Sequence, residues 1–244
     1  MTIGDGVHPW SLPPILDAIA LSEHVPSAIA QVLVRRGIDT PQKLNFLLNP
    51  PHKLPYDPLR IAGMDSALQR LHSAVKKGEQ VGVFGDFDVD GITGTAIICE
   101  GLSSLGVPVT PYLPHRVDEG HGLSNAAIDS LADKGVTLII TVDCGITAFD
   151  EVDYAKSRGI EVIVTDHHEA EGEPAEAFAL VNPKFGADEL SRTLAGAGVA
   201  FKVCHALVKE GMQANREEAH RIDLRAFMDL VAIATVADVV PLVG

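Results

Sequence analysis

Cysteine is scarce in this sequence of 244 residues. The three cysteines, Cys99, Cys144 and Cys204, have no CxxC spacing, which argues against a disulfide framework and against a zinc knuckle. The N-terminus lacks a basic segment followed by an apolar core, so no signal peptide is predicted. Apolar runs long enough to span a membrane are also missing. We therefore expect a cytoplasmic protein in a reducing compartment.

Basic residues are few as well. Lys and Arg number 19 against 33 Asp and Glu, which gives a formal net charge of -14. This balance argues against an extended basic surface for nucleic acid. Nucleic acid remains a candidate substrate, because active-site carboxylates that bind metal contribute to the same negative count. No Walker lysine or GxGxxG motif follows the first predicted strand of the main domain, so nucleotide binding by those loops is unsupported.

The first 78 residues are rich in proline and contain short helical patterns. Helices are predicted over 26–36, 41–48 and 64–77, with Gly37 and Gly78 as C-terminal stops. Thr40 is a plausible N-terminal cap in front of Pro41. The pattern predicts a helical N-terminal module over 1–78 beside a main domain over 79–244. Nothing in the module looks catalytic.

From residue 80 onward, apolar strands alternate with helices. Strands are predicted over 81–84, 107–113, 136–142, 160–165 and 177–181. Helices are predicted over 92–105, 124–134, 148–158, 198–209 and 216–237. This alternation predicts an α/β fold with a Rossmann-like, mostly parallel sheet covered by helices on both faces. In such sheets, ligands bind beyond the carboxyl ends of the strands.

Acidic and imidazole side chains follow three of these strands. They are Asp86, Asp88 and Asp90 after the first, Asp143 after the third, and Asp166, His167 and His168 after the fourth. Asp238 lies in a later apolar stretch that has no basic neighbour, where a carboxylate is costly unless it is paired or bound to metal. No Lys or Arg occurs between Lys77 and Arg116. Like charges this close raise one another's pKa or bind a cation.

Each feature has a simpler explanation when it is taken alone. Asp143 is better explained as a helix cap, Asp238 as an exposed acid at a helix end, and adjacent histidines as ordinary surface or core residues. The first acidic run also imitates the start of an EF-hand loop. That interpretation fails, because its twelfth position is Ile97 rather than Glu and a strand enters the loop. The convergence of all these residues on one sheet edge favours a metal site.

The ligand types narrow the choice of metal. Carboxylates and imidazoles without thiolates fit Mn²⁺, and also Mg²⁺, Fe²⁺, Co²⁺ or Zn²⁺. The number of acids and histidines exceeds what one ion needs, so two ions are expected. A pair of ions roughly 3.5–4 Å apart is the usual device for in-line attack of water on phosphorus.

Candidate phosphate ligands lie near the same edge. His115 and Arg116 follow the second strand, and a guanidinium suits a phosphate well. Gly196 and Gly198 open a predicted helix, whose free backbone N–H groups suit an anion. Close packing at the start of that helix explains the two glycines equally well.

Five motifs occur in order along the chain: GDFDVDGITGTA, ITVDCGI, VTDHHE, LAGAGVAF and DLVAIATVADVVPL. Their order resembles the DHH phosphoesterase superfamily and, within it, the RecJ branch of single-strand-specific DNA exonucleases. The stretches LPHR, EGHGLS and VNPK point to the same branch. The resemblance covers essentially the whole chain and is strongest over 81–242.

The resemblance implies a Mn²⁺-dependent hydrolase that removes mononucleotides from single-stranded DNA in the 5′→3′ direction, in repair and recombination. The metal ligands it implies are Asp86, Asp88, Asp90, Asp143, His167 and Asp238. It also implies catalytic roles for Asp143, which bridges two ions, for His167 and for His168, with Asp166 orienting a histidine. The expected partners of this monomer are single-stranded DNA, a single-strand-binding protein and a helicase.

The chain departs from the family pattern in three places. His121 stands where many relatives have Tyr, the segment between Pro183 and Leu194 looks short, and the chain stops six residues after Asp238. We therefore expect a core without the second, substrate-holding domain and the OB-like module, with poor affinity for DNA. Two alternatives stay open. One is a DHH phosphoesterase for short oligonucleotides, cyclic dinucleotides or pyrophosphate, and the other is a catalytically dead DHH scaffold.

Overall fold

The structure, a computed structural model, describes residues 2–3, 10–11, 13–49, 56–170, 172–186 and 191–242. The chain divides into two compact units, Met1–Pro55 and Tyr56–Gly244. Among the described residues, no helix has the length and apolar character needed to cross a bilayer. All the residues predicted to bind metal or phosphate lie in the second unit.

The first unit is small and largely helical. Its elements are β1 (Thr2–Ile3), β2 (Trp10–Ser11), α1 (Ile19–Ser22), α2 (Ser27–Arg35) and α3 (Pro41–Leu48). The two short strands pair antiparallel. Leu21, Leu33 and Leu44 form its apolar core. Thr40 caps α3 by accepting the Lys43 N–H, as predicted.

The second unit is built on a five-stranded sheet. Its strands are β3 (Gln80–Gly85), β4 (Val109–Tyr112), β5 (Val136–Val142), β6 (Glu161–Thr165) and β7 (Ala179–Val181). They are all parallel, in the order β4-β3-β5-β6-β7. The order reverses at β3, whose neighbours are β4 on one side and β5 on the other. Sheets of this order carry their ligand crevice beyond the ends of those central strands.

Helices cover both faces of this sheet. They are α4 (Met64–Lys77), α5 (Val89–Ser104), α6 (Asn125–Ala132), α7 (Phe149–Ser157), α8 (Gly196–Gln213), α9 (Glu217–His220) and α10 (Met228–Ala237). The pair α6 and α7 packs on one face, over a core that includes Ile128, Ile139 and Val162. The other face is covered by α4, α5 and α8, and α10 packs on α5 and α8. The predicted α/β fold with a covered parallel sheet is confirmed.

Helix α4 packs with the sheet of the second unit. Its Arg70 is buried and forms ion pairs of 2.6 Å with Glu79, just before β3, and with Glu161, at the start of β6. Because α4 also packs on β7 and α8, the compact units divide after Pro55 and not after residue 78. The assignment of 1–78 and 79–244 as functional domains stays a prediction.

The predicted helix over 216–237 is wrong. The chain forms α9, then a 3₁₀ turn at Leu224–Phe227, and then α10. Asp223 begins the 3₁₀ turn after the break, because its carboxylate accepts the Arg225 N–H and pairs with the Arg225 guanidinium. Short 3₁₀ turns also occur at Pro58–Arg60, Pro183–Phe185 and Ser191–Thr193.

Candidate metal centre

The turn after β3 supplies the first acids. Asp86 accepts the Phe87 N–H at 2.7 Å, and Asp88 caps α5 by accepting the Gly91 N–H at 2.9 Å. A Cβ at residue 91 would lie 2.4 Å from the Asp86 carbonyl oxygen, so only glycine lets this turn close. The tight turn brings the carboxylates of Asp86 and Asp88 to within 4.8 Å of Asp143.

Asp90 is buried in the first turn of α5 and faces the start of α8. Its two oxygens accept the Gly196 N–H at 2.6 Å and the Ala197 N–H at 2.7 Å. Burial raises the pKa of Asp90 and outweighs the lowering effect of these two bonds. The prediction that the Gly196 N–H is free for a substrate anion is therefore wrong. The anion at this helix N-terminus is a carboxylate of the protein itself.

Asp143 follows β5 with a left-handed backbone, at φ 62°. Its N–H donates to the Thr165 carbonyl at 3.0 Å, which ties the ends of β5 and β6 together. Burial raises the pKa of Asp143 to about 7, and the charges of Asp90 and Asp88 add to that rise against the lowering effect of His167. A carboxyl group in this position needs positive charge to stay ionised.

His167 lies at the centre of the acids. Its Nε2 is 3.1 Å from Asp143 Oδ1, 3.6 Å from Asp238 Oδ2 and 3.7 Å from Asp90 Oδ2. Within the described part of the chain, neither of the buried atoms Asp143 Oδ1 and His167 Nε2 makes a hydrogen bond of normal geometry, although the two atoms lie 3.1 Å apart as an ion pair. Buried polar atoms are nearly always satisfied. A nitrogen and an oxygen that point into one volume without a hydrogen bond of normal geometry are suited to a shared cation, so these donors fit a divalent metal.

Asp166 holds the two histidines in place. Its Oδ1 accepts the backbone N–H groups of His167 and His168, at 2.7 and 3.1 Å, and lies 2.7 Å from His168 Nδ1. Its Oδ2 accepts the Ile146 N–H at 3.0 Å. The bond to Asp166 is the main cause that raises the pKa of His168 to about 9. Asp166 thus orients a histidine, which agrees with the role predicted for it, and leaves His168 Nε2 free of that bond.

Three overlapping groups of side chains could each hold a cation. They are Asp143, His167 and His168; Asp90, His167 and Asp238; and Asp86, Asp88 and Asp143. Asp143 and His167 each belong to two groups. The structure thus brings together every residue that the sequence predicted as a metal ligand. Gly196 permits this packing, because a Cβ there would lie 2.6 Å from the Cβ of Asp143.

The other residues predicted to bind phosphate are His115, Arg116 and Gly198, and none of them belongs to the three groups of candidate metal ligands among the described residues. His115 is exposed, and its Nδ1 lies 2.8 Å from Asp118. Arg116 lies over the ring of Phe87, with its guanidinium carbon 5.0 Å from the ring centroid. Gly198 packs near the Leu194 side chain, which agrees with the alternative of close packing.

Sequence reasoning missed Phe87 altogether. The ring of His121 is tilted against it at 4.4 Å, and His121 Nδ1 lies 3.3 Å from Asp86. The sequence feature that could have indicated Phe87 is its position as an aromatic residue between two predicted metal ligands, Asp86 and Asp88.

Comparison with known proteins identifies the family. The model of the DHH family, N-terminal domain, matches residues 80–235. The single-stranded-DNA-specific exonuclease RecJ of Bacillus subtilis (strain 168) is 39% identical over 220 residues, which cover 90% of this chain and 26% of the relative. The counterpart from Escherichia coli (strain K12) is 37% identical, over 91% of this chain and 39% of the relative. The chain thus spans between a quarter and two fifths of these relatives.

A solved structure agrees with the sequence match. RecJ in complex with Mn²⁺ from Thermus thermophilus superposes with a TM-score of 0.69 at 31% identity, covering 96% of this chain and 32% of that one. The similarity to that relative therefore extends over nearly the whole chain. With a family model that matches most of the second unit, the chain belongs to the DHH family.

Proposed function

We propose that this chain is the catalytic core of a metal-dependent phosphodiesterase that releases mononucleotides from the 5′ end of single-stranded DNA. The observation that carries the proposal is the pair of buried atoms Asp143 Oδ1 and His167 Nε2, which face each other at 3.1 Å without a hydrogen bond of normal geometry among the described residues at the sheet's crevice. The RecJ relatives are named as single-stranded-DNA-specific exonucleases. A role in repair and recombination is proposed for this chain from its resemblance to the family.

The proposed metal ligands are Asp86, Asp88, Asp90, Asp143, His167 and Asp238. Because Asp143 is shared between groups, we propose two ions, with Mn²⁺ preferred for the imidazole ligand and Mg²⁺ as the alternative. Such ions, when bound, generate a hydroxide-like nucleophile and offset charge on the phosphoryl oxygens.

The protein's own groups orient the substrate. Asp166 fixes the ring of His168 through Nδ1, so Nε2 is available to donate to a phosphoryl oxygen. Arg116 is exposed beside the first acidic turn and is proposed to bind phosphate, with His115 as a weaker contact. The backbone amides at the start of α8 donate to Asp90 and hold its carboxylate in place. They are therefore not assigned to the substrate phosphate.

The proposed partners follow from the resemblance and not from the site. They are single-stranded DNA as substrate, and a single-strand-binding protein and a helicase acting with a monomer. The chain's net charge of -14 favours weak binding of DNA by this core.

A hydrolysis assay tests the proposed function. The chain is incubated with Mn²⁺ and 5′-labelled single-stranded DNA, duplex DNA or a dinucleotide. Asp143→Asn removes one negative charge at nearly constant shape, and Asp150→Asn, at an exposed acid in the first turn of α7, is the matched control. We expect mononucleotides from the single strand alone, lost with Asp143→Asn and kept with Asp150→Asn.

The other outcomes identify the alternatives. Turnover of the dinucleotide alone would replace the proposal by a short-substrate DHH phosphoesterase. Binding of Mn²⁺ without turnover of any substrate would support a scaffold. Calorimetry that detects no Mn²⁺ binding at all would contradict both the metal site and the activity.

A further inference from the structure

Phe87 links the acidic turn to the loop that carries Arg116. It stands between Asp86 and Asp88, and its N–H donates to Asp86. Its half-buried ring receives the Arg116 guanidinium at 5.0 Å and the His121 ring at 4.4 Å. The backbone of Phe87 is therefore held by Asp86 and flanked by two candidate metal ligands, and two side chains from the loop over 113–122 rest on its ring.

The base of this loop is fixed independently of Phe87. Glu119 accepts the Tyr112 hydroxyl through one oxygen and the His115 N–H, at 2.8 Å, through the other. Arg116 lies between these anchors at an exposed position. In the described part of the chain its guanidinium has no hydrogen bond or ion pair besides the ring contact. A long side chain held by one face alone keeps its N–H edge available for an anion.

We propose that Phe87 is a positioning residue that holds Arg116 beside the metal ligands, so that the guanidinium meets a phosphate of the substrate. The inference rests on the proposed function and names the part of the substrate that this loop receives. His121 steadies the same ring from the side of Asp86. A bound cation that orders Asp86 and Asp88 thereby also orders the phosphate ligand.

A purely structural role for Phe87 makes different predictions. If the ring only filled space, its loss would lower stability or disturb Asp86 and Asp88, and with them the affinity for Mn²⁺. If it positions Arg116, its loss weakens the binding of phosphate and leaves the metal ligands in place. An exposed cation–π contact is weak, so the expected change is about a threefold to fivefold loss of binding.

The test is a double-mutant cycle on the Mn²⁺-loaded chain. Phe87→Leu, Arg116→Gln and the double variant are compared for KM and kcat on a 5′-labelled single strand, and for binding of thymidine 5′-monophosphate by calorimetry. We expect Phe87→Leu to raise KM and the nucleotide Kd threefold to fivefold, with kcat and the Mn²⁺ affinity within twofold of the wild type. In the Arg116→Gln background the same change should have no further effect.

Three controls complete the experiment. Phe87→Tyr keeps the ring and should restore wild-type binding. Phe149→Leu, at an exposed phenylalanine on α7, should leave binding unchanged. Thermal unfolding without Mn²⁺ checks that each variant folds, and Phe87→Met replaces Phe87→Leu if the latter is destabilised.

The nucleotide arm separates the two proposals. If the wild type binds the nucleotide more tightly than Phe87→Leu but cleaves no single-stranded DNA, the proposed function is contradicted and the inference about Phe87 stands. The inference is overturned by unchanged binding in Phe87→Leu, by additive effects in the double variant, by a parallel loss of Mn²⁺ affinity, or by a wild type that does not bind the nucleotide.

Discussion

The replacement Gly196→Ala tests how closely the start of α8 approaches the metal ligands. The new methyl carbon would lie 2.6 Å from Asp143 Cβ, 2.7 Å from its Oδ1 and 2.8 Å from its Cγ. Since carbon atoms pack at about 3.5–4.0 Å, the Asp143 side chain must retreat by about 1 Å. Residue 196 does not have a positive φ, so this contact and not backbone strain is the source of the effect.

A shift of about 1 Å in an active-site group costs on the order of 10²-fold in rate. We expect a loss of this size in turnover, a clear loss of Mn²⁺ affinity, and a destabilisation of about 1–3 kcal/mol from overpacking. Calorimetric titration with Mn²⁺, the hydrolysis assay and thermal unfolding without metal measure the three effects separately.

Gly198→Ala is the matched control. It lies on the same helix, and its new methyl would meet the flexible Leu194 side chain at 3.2 Å. The gain in helix propensity of about 1 kcal/mol offsets that contact, so we expect near wild-type stability and Mn²⁺ affinity. If Gly196→Ala bound Mn²⁺ and turned over like Gly198→Ala, the close packing of α8 on Asp143 would be refuted.

Two further predictions concern Asp166 and His205. Asp166→Asn weakens the hold on His168 Nδ1, so we expect about a tenfold to 100-fold fall in kcat; a kcat equal to that of Asp150→Asn would contradict this. Burial, with Lys202 and Lys209 nearby, lowers the pKa of His205 to about 4, below its ordinary value of 6.5. The unfolded chain therefore takes up this proton first as the pH falls, and stability is lost between pH 6.5 and 4. At about pH 5 the loss of unfolding free energy is at most about 2 kcal/mol. Urea unfolding at about pH 7.5 and 5 measures this loss, and His205→Gln should remove it. If the wild type and His205→Gln lose the same stability between these pH values, His205 is not responsible.

The strands could be predicted because their sequences are unambiguous. The run over 136–142 is almost wholly apolar, is rich in β-branched residues and ends in an acid, and β5 occupies the same residues. Parallel strands must then place their following residues on one edge, which is why Asp86, Asp143 and His167 could be expected together. Here local composition and topology point the same way.

The break before α10 could not be predicted from the same kind of pattern. The apolar residues of α10 continue a helical periodicity across the break, whereas α9 ends at His220 and the Asp223 side chain accepts a backbone N–H to begin a separate 3₁₀ turn. Local side-chain bonds of this kind compete with the helix without changing its apolar pattern. The boundary between the compact units differs from the predicted one at residue 78 for a related reason. The buried Arg70 joins α4 to Glu79 and Glu161, and local sequence patterns do not predict such long-range ion pairs.

The sequence could not predict which anion the N–H groups at the start of α8 bind. A helix N-terminus attracts any nearby anion, and 106 residues separate Asp90 from Gly196. Only the tertiary structure decides whether that anion is a substrate phosphate or a carboxylate of the protein. The two explanations weighed for the glycines were therefore both incomplete: Gly196 allows close packing, and it also supplies an N–H to an internal anion.

The acids of the centre differ in the source of the positive charge that can stabilise them. The helix N-terminus offers about half a unit charge, and it serves Asp90 through two N–H donors. Asp143 Oδ1 receives no backbone N–H within the described residues and lies 3.1 Å from His167 Nε2; burial, with the neighbouring carboxylates, raises the pKa of Asp143 to about 7 against the lowering effect of His167. Asp90 is thus held by two backbone donors, whereas Asp143 Oδ1 and His167 Nε2 have no such donors among the described residues and are better placed to share a cation. A bound divalent ion should consequently stabilise the fold most strongly through the turns after β5 and β6, which carry Asp143 and His167.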